Sequence, residues 1–472
     1  MIKKINLTNQ YFRVFMPQAS MPVVDLRSRE HYIASCVALA QEKLSQFGSL
    51  AEIAAREREI NRYPRLDQLE GPHLIQLLEE EAPRPVRLAK EAVARGEVLL
   101  EHAAAGEGTR LFLGPKYFIN IGRDLDLEKV ARLMSVESGK VLSPEAVAPL
   151  LECRPGDLLP LSLGTRHMLQ MAFDLEGLAR ELGAAPAEVL SRQHLLIIVS
   201  EEMAPAIEKE FYQWHFFGFN PAQVYFMVQE SFHGINLQNG RFFYDASSPR
   251  RLHNHGQMVV QEAMDRQLFT LPGAHAWEKV YHSQEAVGDW LQGFVNKISY
   301  NIEDLDYLTG SLDFPSLGLV LELGEKGFRM VMEVVANNPL KPQKGGMLAW
   351  DPELNRDVMI ESFQLGDLPN QDIAFLNRNF NHYPRPFESW RRVRDAGLLM
   401  PVAVKDGFLY YQPVQGDINF LVPTAFFRRL EMKPIKNLKN PAALPLAVNR
   451  MAAQDRQPGF REFVQRAWER SK

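Results

Sequence analysis

The chain has 472 residues, 46% hydrophobic and 24% charged, with a formal net charge of −5. This length calls for a large central domain with additions, and the charge balance gives no support for a broad nucleic-acid-binding face. Two cysteines, Cys36 and Cys153, cannot build a disulfide framework or a CxxC metal site and fit a reducing compartment, and with no signal-like start and no run of 18 apolar residues the cytoplasm is expected, without a membrane partner.

Residues 1–95 read as largely helical. Apolar residues at helical spacing run from His31 to Phe47, and Gly48 can close that helix. Ser49-Leu50-Ala51-Glu52 has the capping-box pattern that opens another. Prolines near 64, 72 and 83–85 punctuate the region, Glu79-Glu80-Glu81 reads as a solvated face, and Val86–Arg95 reads as an amphipathic helix closed by Gly96. Glu97-Val98-Leu99-Leu100 then begins a strand that runs into a small-residue loop at Ala103–Gly108. A helix is expected over Arg166–Leu182, a buried strand over His194–Ser200, a helix over Glu202–Phe211 and a strand over Gln223–Gln229. Strand, helix, strand in that order implies a parallel α/β sheet. Further strands are expected near Gly318–Leu323, Phe328–Val335, Gly346–Trp350, Val358–Phe363, Ala403–Lys405 and Phe408–Gln412, before a terminal helix.

The segment from Gly106 to Lys116 is chemically the most informative. A nucleoside triphosphate needs backbone N–H groups close to its phosphates, which favours glycine, and fixed cations to balance charge. Gly106, Gly108, Arg110 and Lys116 supply both behind a strand, where α/β proteins place ligands. The GxxxxGK[ST] pattern is missing, and the third glycine falls at the wrong spacing for the dinucleotide fingerprint.

Arg95-Gly96-Glu97-Val98, followed by Gly106-Glu107-Gly108-Thr109-Arg110 and then Pro115-Lys116, resembles the UDP-sugar pyrophosphorylase family, which includes UDP-glucose and UDP-N-acetylhexosamine pyrophosphorylases. The loop is slightly shorter than the family pattern. The resemblance continues in order along residues 85–440. Ile197–Ser200 followed by Glu201-Glu202, and Phe216–Pro221 followed by Val224–Gln229, resemble the next strands; the family reads uracil with the glutamine matched by Gln229. A carboxamide can donate to a uracil carbonyl and accept from N3–H. Arg251-Leu252-His253-Asn254-His255-Gly256 falls on a Gly-Asn-Gly-Gly loop, with His253 and His255 replacing glycines, which narrows the pocket; a His-x-His metal pair is the alternative there. Lys297–Leu305 resembles the strand ending in the metal-binding Asp-Asn, placing Glu303 or Asp304 on the metal. Met332–Val335 with Lys344-Gly345-Gly346, Ile360–Phe363 with Glu361, and Phe375–Asn379 with Asn377 and Asn379 resemble the sugar-contacting elements. Lys433–Lys439 is a weaker match to a late phosphate-binding lysine.

The resemblance implies a Rossmann-like (GT-A-like) α/β fold, a mixed and mainly parallel sheet flanked by helices. It divides the chain into a helical N-terminal region (1–95), a catalytic domain (96–400) and a small C-terminal domain (401–472). It implies a uridylyltransferase that joins UTP to a sugar 1-phosphate with Mg²⁺. Arg110 and Lys116 are then catalytic. Ala105, Gly106, Gly108, Thr109 and Gln229 bind nucleotide, Asn254, Gly256, Glu361, Asn377 and Asn379 bind sugar, and Glu303 and Asp304 bind metal. Two alternatives stay open: a catalytically inactive nucleotide-binding relative, and a sugar-1-phosphate nucleotidyltransferase using another base. The sugar and the oligomeric state are left open.

Overall fold

The computed structural model describes residues 24–79, 82–106, 113–273, 278–302, 304–305, 310–340, 342–430, 438 and 441–471. The roles expected of Gly108, Thr109, Arg110 and Glu303, and of the lysines in 433–439, lie outside the described residues, as does the side chain of Asn379.

The strands are β1 (Ile75–Leu77), β2 (Val98–Ala103), β3 (His194–Ser200), β4 (Val224–Gln229), β5 (Ile235–Gln238), β6 (Arg241–Tyr244), β7 (Leu268–Thr270), β8 (Val280–Tyr281), β9 (Asn296–Asn301), β10 (Met330–Ala336), β11 (Met347–Asp351), β12 (Arg356–Ile360), β13 (Phe375–Pro384), β14 (Val402–Lys405), β15 (Phe408–Tyr411) and β16 (Thr424–Arg428). The large sheet runs β1-β16-β10-β13-β9-β2-β3-β4-β7-β8, with the β11–β12 hairpin attached at β13. Pairing is parallel through β9, β2, β3 and β4 and through β10, β16 and β1; β13 and β7 run antiparallel to their neighbours. A second sheet runs β14-β15-β5-β6. The fold is therefore mixed α/β with a mainly parallel central sheet.

The apolar run of β3 has the form a strand needs when both of its faces are covered. Successive side chains point to opposite faces. Leu195, Ile197 and Val199 join a core with Leu175, Ile207 and Phe211 from helices Leu163–Glu181 and Ala204–Gln213, and with Val448 and Phe463 from the C-terminal helices. Leu196 and Ile198 face the other core, with Tyr32 and Leu39 of helix Arg29–Leu44, Met258 and Leu409.

One expected strand is a helix. Gly318–Leu323 lies inside helix Phe314–Glu325, whose N-cap Asp313 accepts from the Ser316 N–H and which carries proline in its first turn. Its buried residues, Leu317, Val320 and Gly324 among them, recur at three- and four-residue spacing. The apolar run hid a helical period behind closely spaced leucines. The divisions expected at 95/96 and 400/401 are both crossed by the large sheet. Strand β1 comes from the first segment and β16 from the last, and they pair with each other, with β16 continuing onto β10. Among the described residues no helix is long and apolar enough to cross a membrane.

The C-terminal helices are fastened through a buried ion pair. Arg166 Nη1 lies 2.8 Å from Asp455 Oδ1, both side chains 1% exposed. Arg166 also donates to Gln454 Oε1 at 2.7 Å and to the Leu159 carbonyl at 2.6 Å, and Asp455 accepts from the Leu159 N–H at 2.7 Å, while the buried Arg166 Nε has no partner among the described residues. Removing one partner leaves a buried charge uncompensated. Asp455→Ala should lower unfolding free energy by about 3–5 kcal/mol in urea titration; a loss no larger than that for an exposed carboxylate would contradict this anchoring role.

Candidate functional site

The chain passes from β2 to β3 to β4 in one direction across the sheet, and β9 is added later on the opposite edge of β2. Strand order therefore reverses at β2, and in open α/β sheets the crevice beyond the strand ends at such a point holds ligands. Ala103 closes β2 opposite Ile198 on one side and Asn301 on the other. The Ala104 N–H still donates to the Ile198 carbonyl at 2.8 Å, after which Ala105 and Gly106 leave the sheet.

Gly106 and Lys116 meet here. The Lys116 N–H donates to the Gly106 carbonyl at 3.1 Å. A Cβ on Gly106 would stand 2.6 Å from Lys116 Nζ, so the lysine side chain lies across the glycine. Lys116 opens the 3₁₀ turn Lys116–Phe118, and its neighbour Tyr117 is buried against Gly164 of helix Leu163–Glu181. That anchor fixes the backbone from which the ammonium reaches the end of β2.

Gln229 ends β4, two strands or about 10 Å from β2. Its Nε2 donates to the Asn254 carbonyl at 3.1 Å, which ties the expected uracil reader to the expected sugar-binding turn. Asn254 has φ +41°, and its Oδ1 accepts from the His255 N–H at 2.8 Å. Helix Gly256–Glu262 follows, and the Gly256 N–H donates to the Pro413 carbonyl at 3.0 Å. A Cβ on Gly256 would stand 2.3 Å from Pro413 C, so backbone approach requires glycine here.

The two histidines occupy positions without positive φ, which explains why side chains are tolerated where the family pattern has glycine. Their Nδ1 atoms turn to different partners. His253 is buried, stacks on Phe232 and has Nδ1 3.4 Å from the Tyr32 hydroxyl. Burial, helped by the charge of Lys405, pushes its pKa down to about 3, so it is neutral. His255 Nδ1 accepts from the Gln415 N–H at 3.3 Å. The narrowing expected from His253 is thus directed into the core beside helix Arg29–Leu44.

Beyond β9 the Asp304 N–H donates to the Asn301 carbonyl at 2.9 Å, which keeps the backbone of residue 304 close to the strand end. Glu361 follows β12, and its N–H donates to Gln364 Oε1 at 3.1 Å. Cβ atoms built on Gly416 and Gly346 would lie 2.7 Å from Glu361 Oε1 and 3.4 Å from Oε2. Asn377 pairs with Val334 on β13, and its N–H donates to the Gly346 carbonyl at 3.2 Å. Asn379 lies on the same strand. Three groups result: Ala105, Gly106, Lys116 and Asp304 around the ends of β2 and β9; Gln229, Asn254 and Gly256 by β4; and Glu361 with Asn377 on the β10 side. Asn254, expected with the sugar group, sits with Gln229.

Sequence reasoning passed over the residues that join these groups. Lys297 Nζ of β9 lies 2.9 Å from Glu101 Oε2 of β2 and 2.7 Å from Glu262 Oε2, at the far end of the helix begun by Gly256. Burial opposes the Lys297 charge, but the two carboxylates outweigh it and raise its pKa. Ser299 Oγ donates to Glu101 Oε1 at 2.5 Å, and Gln415 Nε2 donates to Ser299 Oγ at 3.2 Å. The available signal was charge inside an apolar strand for Glu101, within VLLEHA; Lys297 lies in the polar run NKISYN, which gave none. Among the described residues no group of three or more His, Cys, Asp or Glu side chains forms a metal cluster.

This fold is that of the UDP-sugar pyrophosphorylases, a class of mixed α/β nucleotidyltransferase. The UDP-N-acetylglucosamine pyrophosphorylase of Trypanosoma brucei, solved with an inhibitor, matches at a TM-score of 0.55 and 14% identity over 88% of this chain and 84% of its own. A variant UDP-glucose pyrophosphorylase of Leishmania major in complex with UDP-glucose matches at 0.50 and 15% identity, over 87% of this chain and 74% of its own. A second variant of that protein matches at 0.51 and 14%, over 87% and 75%. No protein-family model matches the chain, and no curated protein matches it in sequence.

Gly256→Ala forces the turn off Pro413 and should cost about 1–3 kcal/mol of stability in denaturant unfolding, as overpacking does. Unchanged stability would show that the turn is not pinned there.

Proposed function

We propose that this chain transfers the uridylyl group of UTP to a sugar 1-phosphate, releasing pyrophosphate and a UDP-sugar. The observation that carries the reading is Lys116 lying across Gly106 at the point where strand order reverses. That arrangement offers a backbone free of side-chain bulk and a fixed cation, the two things a triphosphate needs. The shared fold with proteins named as UDP-sugar pyrophosphorylases, one of them holding UDP-glucose, supports the same assignment.

The reaction is an in-line displacement. A phosphate oxygen of the sugar 1-phosphate attacks the α-phosphorus of UTP, one P–O bond forms, and the bond to the bridging oxygen breaks as pyrophosphate leaves with the electron pair. The nucleophile is already anionic, so no general base is required. Catalysis is then positioning and charge neutralisation. Lys116 and Arg110 balance the developing charge, Gly106, Gly108 and Thr109 approach the phosphates, and Gln229 reads uracil beside Ala105. Asn254, Glu361, Asn377 and Asn379 take the sugar hydroxyls, donors and acceptors for a polyol.

Mg²⁺ suits the residues present. It is held by one or two carboxylates together with substrate phosphates rather than by an all-protein cage. Asp304, whose backbone is held at the end of β9, would provide one such carboxylate, with Glu303 beside it in sequence. When bound there, Mg²⁺ would neutralise phosphate charge.

The test is pyrophosphate release from UTP and Mg²⁺ across a panel of sugar 1-phosphates, with ATP, CTP and GTP as competitors. Turnover dependent on one sugar 1-phosphate and selective for UTP is expected. Tight UTP binding with no release would mean an inactive relative. Lys116→Ala should lower kcat by about 10²–10³ with folding intact by circular dichroism; full activity would remove its assigned role.

A further inference from the structure

The segment that brings Lys116 back to β2 and the turn that leaves β9 rest on one face of helix Leu163–Glu181. In its first turn the Leu163 N–H donates to the Ile119 carbonyl at 2.9 Å. Gly164 lies under the buried ring of Tyr117, where a Cβ would stand 2.2 Å from Cε2. One turn further, His167 Nε2 donates to the Ile302 carbonyl at 3.2 Å, and both residues are buried. Two turns beyond that, Asp174 Oδ2 accepts from the Ser311 N–H at 2.8 Å and from its hydroxyl at 2.7 Å. The Ser311 carbonyl in turn accepts from the Tyr300 hydroxyl of β9 at 2.7 Å. Residues 164, 167 and 174 recur at spacings of three and seven, so they share a face.

The bond made by His167 is directional. A carbonyl only accepts, so Nε2 carries the proton. Burial pushes the pKa of His167 down to about 4, which leaves a neutral ring with a single N–H, and that N–H is committed to Ile302. Ile302 follows Asn301, the last residue of β9, and stands two before Asp304, whose own N–H returns to the Asn301 carbonyl. The backbone that carries the acid is thereby held from two sides, by the strand end and by the helix. The same helix seats Tyr117, the neighbour of Lys116. An acid and a lysine that serve one polyphosphate must keep their relative position when they bind it. Groups that hold the backbone of such residues act on affinity without touching the ligand.

We propose that His167 is a positioning residue: it holds the backbone of Asp304 in register with Lys116, so that the acid meets the divalent cation of the nucleotide complex. The cation half of this rests on the function proposed above; the brace between helix and turn does not.

The test compares His167→Leu, which removes the donor, with His167→Gln, whose amide N–H can reach the same carbonyl. Binding of Mn²⁺ to the protein with a non-hydrolysable UTP analogue is read by electron paramagnetic resonance, and turnover with Mg²⁺ is followed separately. His167→Leu should weaken Mn²⁺ binding about tenfold, and His167→Gln should restore it to within about twofold of the wild type. In turnover, the Mg²⁺ concentration for half-maximal rate should rise by a similar factor in His167→Leu, while KM for the sugar 1-phosphate stays flat. Should His167→Leu not fold by circular dichroism, His167→Asn takes its place, because its polar side chain is too short to reach Ile302. The proposal is overturned if Mn²⁺ binding is unchanged in the variant that lacks the donor, if His167→Gln binds as weakly as that variant, or if KM for the sugar 1-phosphate rises together with the metal requirement. A wild type whose Mn²⁺ affinity depends on the His167 donor, but which turns over no sugar 1-phosphate, loses the function and keeps the brace. Turnover by a wild type whose cation affinity ignores His167 does the reverse.

Discussion

Strand β2 is hydrogen-bonded along both edges to parallel neighbours and buried on both faces, and the geometry of the cleft follows from that confinement. A strand so held cannot slip without moving apolar side chains to the wrong face. Its carboxyl end is therefore fixed relative to β3 and β9, and the backbone that leaves it at Ala104 emerges at one place. Lys116 is brought back to that place by its bond to the Gly106 carbonyl and by the buried ring of Tyr117. The cation and the glycine meet because two separate pieces of core agree on their position.

Beneath the cleft the sheet carries charge. Lys297 between Glu101 and Glu262 joins β9, β2 and the helix that starts at Gly256. Such a group contributes little to net stability compared with an apolar replacement, but removing one member leaves a buried charge exposed to its full desolvation cost. Its structural effect is registration. The helix begins at the turn that Gln229 holds and ends on the strands that flank the loop after β2, so turn and loop are set from one network. The segment 413–419 adds a second tie across the same gap, from Gly256 and His255 to Ser299 and Glu361.

Much of the parallel core was legible in the sequence, because β3 and β4 are short apolar runs bounded by polar residues and lie where such runs must lie. Gln229 was legible as a strand-end polar residue, and the loop after β2 as a small-residue stretch. Helix Phe314–Glu325 was misread because leucines crowd its sequence and conceal the three- and four-residue spacing of the buried set. The inward turn of His253 could not be read, since it depends on Tyr32 and Phe232, which tertiary packing supplies. The role of β16 was hidden for the same reason: nothing local says that a strand near residue 426 will pair with one near residue 75. Gln415, Gly416 and Asp417 look like an ordinary polar turn until the sheet places Ser299, His255 and Glu361 around them.

The central claim is that the backbone leaving β2, with Lys116 across it, cradles a triphosphate tail. A crystal structure of the protein with a non-hydrolysable UTP analogue tests it most directly. The account predicts phosphates against Gly106 and the Lys116 ammonium, with the uracil ring at Gln229. Nucleotide bound elsewhere, or Lys116 turned away from the phosphates, would contradict it.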